Sequence, residues 1–179
     1  NEINIAAERL HRLVENLLDM ARLESGNLNL KLGWNSIADL IHSVTERLKS
    51  ESGQHKIIIK IDEDIVFRFD YALLEQAIIN IVHNALAYTP AGSEISIKGI
   101  QQNYNYILNI SDNGNGFSEE ALTKLFTKFY RIPGTKTGGS GLGLSIAKGF
   151  IEAHAGTITA SNKITGGAVF TIILPIKEK

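Results

Sequence analysis

Two glycine clusters, separated by an aromatic and basic stretch, constrain this chain more than any other feature. The first, Asp112-x-Gly114-x-Gly116, directly follows residues 106–110, an apolar run with the alternation of a β-strand. Asp112 is therefore expected at a strand end, where a fixed carboxylate can accept a hydrogen bond from a ligand. Gly114 and Gly116 allow a flat group to approach the backbone closely.

The second cluster, Gly139-x-Gly141-x-Gly143, precedes a segment that is predicted to be a helix over 144–154. Glycines at a helix start expose backbone N–H groups, and the helix dipole adds positive potential there, so this segment is a candidate phosphate site. Its spacing differs from the dinucleotide-binding fingerprint, which also has to follow a strand directly. Either cluster alone is weak evidence, because most glycine-rich turns are structural; their order and spacing together are far more specific.

Composition narrows the class of protein. The chain has 179 residues, 44% hydrophobic and 21% charged, which suits one globular domain with a short appendage. A net charge of −1 gives no overall field favouring nucleic acid or an anionic membrane. The absence of cysteine excludes disulfides and thiolate metal sites, and no apolar run approaches the roughly 20 residues of a membrane helix or forms a signal peptide. Because the sequence begins at Asn1 without Met, inside a helical pattern, we expect it to be part of a longer protein.

Residues 2–25 are predicted to form one helix, with Gly26 as its C-terminal cap. The apolar residues alternate in spacing between four and three, which is the heptad seam of paired helices. The seam consists of Ile3, Ala7, Leu10, Val14, Leu17 and Ala21, with Leu13 and Leu18 beside it. Such a helix either packs on its own domain or is half of a helical hairpin that pairs with a second chain; the narrow seam favours the hairpin.

Beyond this helix, strands alternate with helices, and several strands are joined by short turns. Helices are predicted over 37–49, with Ser36 as N-cap, and from a cap at Asp70 to the residue before Pro90, which disfavours helix there. The first predicted strand is 28–32. Strands 56–61 and 65–69 flank a turn at 62–64, and strands 95–97 and 106–110 flank a hairpin turn at 103–105. The last two predicted strands are 157–161 and 168–174. This pattern indicates a mixed rather than a purely parallel sheet.

One predicted helix carries an unusual row of amides. Gln76, Asn80 and Asn84 are four residues apart, so they share one face. Asn is a poor helix former, so this spacing needs an explanation. The row is either a solvated edge together with His83, or a source of oxygen ligands for a hard cation. Mg²⁺ takes few protein oxygens and completes its shell with water and phosphates.

Five motifs follow one another along the chain. They are Asn80-x-x-x-Asn84, Asp112-x-Gly114-x-Gly116, Phe126-x-x-Phe129, Gly139-x-Gly141-x-Gly143-Leu144 and Gly166-Gly167-Ala-Val-Phe170. Their order resembles the N, G1, F, G2 and final glycine boxes of bacterial sensor histidine kinases, and five ordered motifs rarely agree by chance. The resemblance divides the chain into a catalytic ATP-binding domain, 27–179, and residues 1–26, which resemble the second helix of the family's dimerisation hairpin. Residues 9–26 are similar to the potassium-responsive, Kdp-type sensor kinases.

The resemblance implies an α+β fold, the Bergerat-type α/β sandwich, with a mixed sheet of about five strands and three helices on one face, preceded by one long dimerisation helix. It implies ATP and Mg²⁺ as cofactors and Asn80 and Asn84 as catalytic residues. Asp112 would bind the adenine amino group, and Asn84 would hold Mg²⁺ against the phosphates. The other implied nucleotide contacts are Asn80, Tyr88, Gly114, Gly116, Phe117, Lys128, Phe129, Arg131, Lys136, Gly139, Ser140, Gly141, Leu142 and Gly143.

Residues 117–140 would form a mobile lid with Lys128, Arg131 or Lys136 near the phosphates. Glycines at 134, 138 and 139 permit it to close over a nucleotide. Residues 140–143 would offer N–H groups to the phosphate tail. Such a site suits phosphoryl transfer, which needs positioning and charge neutralisation more than covalent help.

Two departures from the family pattern matter. The family often has Lys or Arg just before Tyr-Thr-Pro, where this chain has Ala87, so one phosphate contact is lost or is supplied by the lid. The family's acceptor His is followed by an acidic residue and then Leu/Phe-Arg-x-Pro, and none of the 5 His residues matches. We therefore expect the acceptor upstream of Asn1. The chain is then the ATP-binding half of a kinase and cannot phosphorylate itself alone in the normal way.

Three other functions each account for part of the sequence. An ATP hydrolase or chaperone-like ATPase of this fold places a Glu one turn before the metal-binding Asn as general base, whereas this chain has Asn80, which cannot take a proton. A non-catalytic nucleotide-binding module gains some support from Ala87, but the complete motif set counts against it. The third possibility is that the chain functions as a dimerising helix to which the sheet domain is incidental. That hypothesis does not explain the ordered glycine clusters.

The resemblance also implies partners and a location. The ATP γ-phosphoryl group would pass to the upstream histidine and then to the receiver domain of a response regulator, and the full-length protein would be a homodimer. The resemblance implies that this domain lies in the cytoplasm and belongs to a protein anchored in the inner membrane. Neither a nucleic-acid partner nor a membrane segment is expected for these residues.

Overall fold

The computed structural model describes residues 2–26, 28–61, 65–133 and 139–176. A long first helix precedes an arrangement of strands and helices. The helices are α1 (Glu2–Glu24), α2 (Ile37–Arg47), α3 (Lys49–Ser52), α4 (Tyr71–Tyr88), α5 (Glu119–Lys124) and α6 (Gly143–Ala153). The strands are β1 (Gly33–Ser36), β2 (Lys56–Ile61), β3 (Val66–Phe69), β4 (Glu94–Gln102), β5 (Asn105–Asp112), β6 (Thr157–Asn162) and β7 (Ala168–Pro175).

The main sheet has five strands in the order β2-β4-β5-β7-β6, and it is mixed, as the sequence predicts. β2 runs parallel to β4, and every other neighbouring pair is antiparallel. Alternate residues of β5 are buried, from Tyr106 to Asp112, on the face that packs against α4. Because side chains alternate along a strand, the phase that buries Ile110 also turns Asp112 toward the helical layer.

A second, two-stranded sheet pairs β1 with β3, and it corrects two predictions. The strand predicted at 28–32 is wrong: β1 starts only at Gly33, opposite Phe69, the last residue of β3. Lys31 instead donates its backbone N–H to the Asp70 carboxylate at 2.7 Å, because β3 has already ended there. The strands predicted on either side of 62–64 exist but lie in different sheets, and the turn itself falls outside the described residues.

The helix that carries the amide row is fixed at its start by a side-chain cap. The Asp70 carboxylate accepts the N–H of Leu73 at 3.1 Å, and Ser36 caps α2 in the same way through Asp39 at 3.0 Å. Both caps are as predicted, and each satisfies an N–H group that has no partner within the helix. The apolar face of α4 packs into the core, which leaves the amide row at the edge of the helix.

α1 lies against α6 with only one side of its surface. Met20 is buried there, and Leu23 contacts α6 so closely that a Cβ at Gly149 would lie 2.7 Å from Leu23 Cδ1. The heptad seam faces elsewhere: Leu10 and Leu17 are 63% and 55% exposed. The helix therefore presents an apolar stripe that its own domain does not cover. No helix in the described part of the chain is both long and apolar enough to cross a bilayer.

Candidate functional site

A cavity of about 530 Å³ opens between α1, α4 and the start of α6. Three separate parts of the sequence meet there, since α1, the amide row and the second glycine cluster all contribute to its walls. Its lining residues are Arg12, Leu13, Asn16, Asn80, His83, Asn84, Ala87, Tyr88, Leu125, Tyr130, Gly139, Ser140, Gly141, Gly143 and Leu144. This cavity is the candidate site.

Two members of the amide row reach the cavity. Asn80 and Asn84 line it, whereas Gln76 does not. The Nδ2 atom of Asn80 is buried and makes no hydrogen bond within the described residues, and neither does the Oδ1 atom of Asn16 on α1. Buried amide atoms are nearly always hydrogen-bonded in folded proteins. One donor and one acceptor therefore remain for a ligand at this wall.

The second glycine cluster forms the opposite wall. α6 begins at Gly143, and its N-cap residue, Leu142, makes no side-chain cap hydrogen bond, so N–H groups at the helix start remain for a ligand. Gly141 has φ +73, and a Cβ there would lie 2.7 Å from the Phe129 carbonyl carbon, so only glycine fits. Leu142 itself is buried and lies outside the lining. This geometry suits a phosphate group.

Asp112 lies at the end of β5 and is held rigidly. Its Oδ1 atom accepts the N–H groups of Gly114 at 2.8 Å and Ala168 at 3.3 Å. Among the described residues nothing donates a hydrogen bond to Oδ2, which leaves that oxygen for a ligand. Gly167 packs against the backbone of Asp112, since a Cβ at Gly167 would lie 2.1 Å from the Asp112 carbonyl oxygen.

The structure does not place the whole predicted site in one cavity. Asp112, Gly114, Gly116 and Phe117 form a group beside it and are absent from its lining. The two groups are joined through the end of α4, because Tyr88 lines the cavity and the next residue, Thr89, lies 2.8 Å from the Cβ position of Gly114.

The structure describes only part of the predicted lid, residues 117–133 and 139–140. The basic and aromatic residues predicted to contact the nucleotide do not converge on the cavity. Lys128 forms an ion pair with Glu24 of α1 at 2.7 Å, and Phe129 is 65% exposed, with φ +61. Neither these two residues nor Arg131 line the cavity. Lys136 and the glycines at 134 and 138 lie outside the described residues. Four residues of the predicted lid line the cavity: Leu125, Tyr130, Gly139 and Ser140. The sequence does not single out Leu125 or Tyr130 as site residues.

A charged cluster at the α1 wall was also missed by sequence reasoning. One Arg12 amino group donates to His83 Nε2, and the other contacts the Glu51 carboxylate at 3.2 Å. Burial lowers the pKa of His83, and the Arg12 charge lowers it further, while Glu51 partly opposes them. The only signal in the sequence is the spacing of Arg12 and Asn16, which are four residues apart and outside the seam.

Comparison with known proteins gives consistent similarities. A family model for histidine kinase-, DNA gyrase B-, and HSP90-like ATPases matches residues 69–178. The chain is 37% identical to the sensor protein KdpD of Clostridium acetobutylicum over 180 residues, which are 98% of this chain and 20% of that protein. Its fold matches the histidine kinase AdeS of Acinetobacter baumannii with a TM-score of 0.80 and 26% identity, over 96% of this chain and 81% of that one.

A further solved structure contains a partner. The histidine kinase ThkA in complex with the response regulator protein TrrA matches with a TM-score of 0.79 and 25% identity, over 98% of this chain and 51% of that chain. The chain spans about a fifth of the length of the sensor proteins KdpD of Clostridium acetobutylicum and Escherichia coli, at 20% and 18%.

Proposed function

Because the chain belongs to the family of histidine kinase-, DNA gyrase B-, and HSP90-like ATPases, we propose that it is the ATP-binding catalytic part of a sensor histidine kinase. It transfers the γ-phosphoryl group of ATP to a histidine outside this chain, from which the group passes to a response regulator. The observation that carries this proposal is the meeting, in one cavity, of Asn80, Asn84 and the uncapped start of α6.

The residues of the cavity fit a nucleotide phosphate tail with its metal ion. Asn84 offers an amide oxygen, and the start of α6 offers N–H groups to phosphate oxygens. No group of three or more His, Cys, Asp or Glu side chains within the described ranges could hold a metal. An Mg²⁺ ion at Asn84 would therefore take most of its oxygens from phosphates and water, and it would neutralise phosphate charge.

Asp112 fits the adenine end. Its Oδ2 atom is left as an acceptor, and an adenine amino group is a suitable donor. Gly114 and Gly167 crowd the Asp112 side chain and backbone so tightly that the carboxylate is positioned before any ligand arrives. Such preorganisation lowers the entropic cost of binding.

Asn80 favours phosphoryl transfer over hydrolysis. It stands one turn before Asn84, at the place where a hydrolase of this fold needs a carboxylate to activate water. An amide cannot accept that proton. In a histidine kinase the neutral imidazole of the substrate attacks directly, so a strong base matters less.

The division of the chain and its partners belong to the same proposal. Residues 1–26 are the second helix of a dimerisation hairpin, and 27–179 are the catalytic domain. The exposure of Leu10, Val14 and Leu17 supports pairing of this helix in a homodimer. The similarity to a ThkA structure solved with TrrA supports a response regulator as the partner. By the same resemblance, the domain lies in the cytoplasm below a membrane-anchored sensor.

The test joins this chain to the segment expected before residue 1 and supplies ATP labelled at the γ-phosphate, with Mg²⁺. We expect acid-labile, base-stable label on histidine. Asn84→Ala should abolish it, whereas Gln76→Ala, on the same helix face but away from the cavity, should keep it. Free phosphate without protein label would favour a hydrolase, and nucleotide binding without either product would favour a non-catalytic module.

A further inference from the structure

The cavity has a conspicuous charge distribution. Among the described residues that line it, Arg12 is the only Lys or Arg, and none is Asp or Glu. The cation comes from α1, which the sequence assigns to a different part of the molecule. It lines the same cavity as Ala87 of α4, whose side chain offers no charge.

Arg12 is held at the cavity wall by two neighbours. Its guanidinium donates to His83 Nε2 on α4 and to the Glu51 carboxylate on α3, at 3.2 and 3.3 Å. His83 directly precedes Asn84 and also lines the cavity. Burial and the Arg12 charge lower the pKa of His83 against the opposing effect of Glu51, which favours the neutral imidazole, the form that can accept this hydrogen bond.

We propose that Arg12 binds the phosphate tail of the nucleotide in this cavity, as the one Lys or Arg side chain among the described residues that line it. The inference rests on the function proposed for the cavity and adds a residue from α1 to it. A guanidinium has five N–H donors in a planar fork, which suits phosphate oxygens, and its contacts with His83 and Glu51 do not use all of them.

Glu51 acts as the reversible partner of Arg12 in the absence of nucleotide. Its side chain is 40% exposed and that of Arg12 is 41% exposed, so their ion pair is screened by water and weak. A phosphate group carries more charge and competes for the same guanidinium. As a result, nucleotide affinity depends on whether α1 is docked against the catalytic domain, which couples the first helix to the site.

The experiment is calorimetric titration of the 179-residue chain with a non-hydrolysable ATP analogue and, separately, with adenosine. Arg12→Ala should weaken binding of the analogue about tenfold, which is the change in affinity expected from the loss of one hydrogen bond to a charged group. It should leave the affinity for adenosine unchanged. Arg12→Lys should restore part of the loss. Arg22→Ala is the matched control on the same helix: Arg22 pairs with Asp19, does not line the cavity, and should not change either affinity.

Glu51→Gln gives a prediction of opposite sign. Removing the competing carboxylate should tighten binding of the analogue about threefold, within the range of an exposed ion pair, without changing adenosine binding. Unchanged or weaker binding would overturn the inference, as would an Arg12→Ala chain that binds like the unaltered one or loses adenosine affinity equally. If the unaltered chain binds no nucleotide, the proposed function fails as well; if it binds and only the Arg12 effect is missing, this inference fails alone.

Discussion

Gly167 lies directly behind the Asp112 backbone, so its replacement by Ala should disturb the fold and the candidate site together. A Cβ there would lie 2.1 Å from the Asp112 carbonyl oxygen and 2.7 Å from the carbonyl carbon, at φ +87. The neighbouring Gly166 is a matched control: its φ is +92, but the nearest atom to its Cβ position is the Gly114 oxygen at 4.0 Å. The two substitutions share the backbone penalty and differ in the steric clash.

The magnitude follows from these distances. Positive φ costs an Ala residue roughly 1–3 kcal/mol, and this applies at both positions. Real Cβ atoms essentially never come within 3.0 Å of a heavy atom beyond their own residue and its chain neighbours, so Gly167→Ala must also move two backbone segments apart by about 0.9 Å, the difference between 3.0 Å and the 2.1 Å of the clash. Forcing extra volume into a packed site costs about 1–3 kcal/mol more. For a chain of this length each kcal/mol lowers Tm by about 2–4 °C.

Urea denaturation followed by circular dichroism measures both variants, with stability taken from the midpoint at a constant m value. We expect Gly167→Ala to lose clearly more free energy of unfolding than Gly166→Ala, and to bind an ATP analogue more weakly because Asp112 moves. Equal destabilisation of the two variants, within about 0.5 kcal/mol, would refute the packing of Gly167 against Asp112.

Three further perturbations test other parts of the structure. Asp70→Ala removes the cap of α4 and should lower the free energy of unfolding by about 1–2 kcal/mol in urea denaturation; no change would contradict the cap. Since burial and the Arg12 charge lower the pKa of His83 below 6.5 on folding, the unfolded chain binds more protons at this residue than the folded chain does near and below pH 6.5. The free energy of unfolding should therefore decrease as the pH is lowered through that window, and it should decrease less steeply in His83→Gln. Parallel plots of the free energy of unfolding against pH for the two proteins would contradict this. Finally, we expect the chain to self-associate through the heptad seam, and Leu10→Glu with Leu17→Glu to be monomeric by light scattering, whereas an unchanged oligomer would refute that role of the seam.

The sequence was most informative where local chemistry decides the outcome. Ser36 and Asp70 cap their helices as predicted, and the hairpin of β4 and β5 forms around the expected turn. The predicted resemblance to sensor histidine kinases, Kdp-type kinases among them, is confirmed, and so is the Bergerat-type fold. These features depend on periodicity, capping and glycine spacing, which neighbouring residues determine.

What the sequence could not reveal depends on tertiary packing. The alternation of Leu28, Leu30 and Leu32 predicts a strand, but β3 is too short to pair with it, and partner length is not a local property. The contribution of Arg12 to the cavity requires α1 to dock on α4, across 71 residues of sequence between Arg12 and His83. The roles predicted for individual site residues remain proposals.

Calorimetric titration of this chain and of its Asp112→Asn variant with a non-hydrolysable ATP analogue and Mg²⁺ tests the central claim most directly. An amide in place of the carboxylate keeps the shape but weakens the acceptor offered to adenine. We predict saturable binding at one site per chain, reduced at least tenfold in the variant. No binding to the unaltered chain, or equal binding to both, would contradict the assignment of this domain as a nucleotide-binding kinase domain with Asp112 at the adenine.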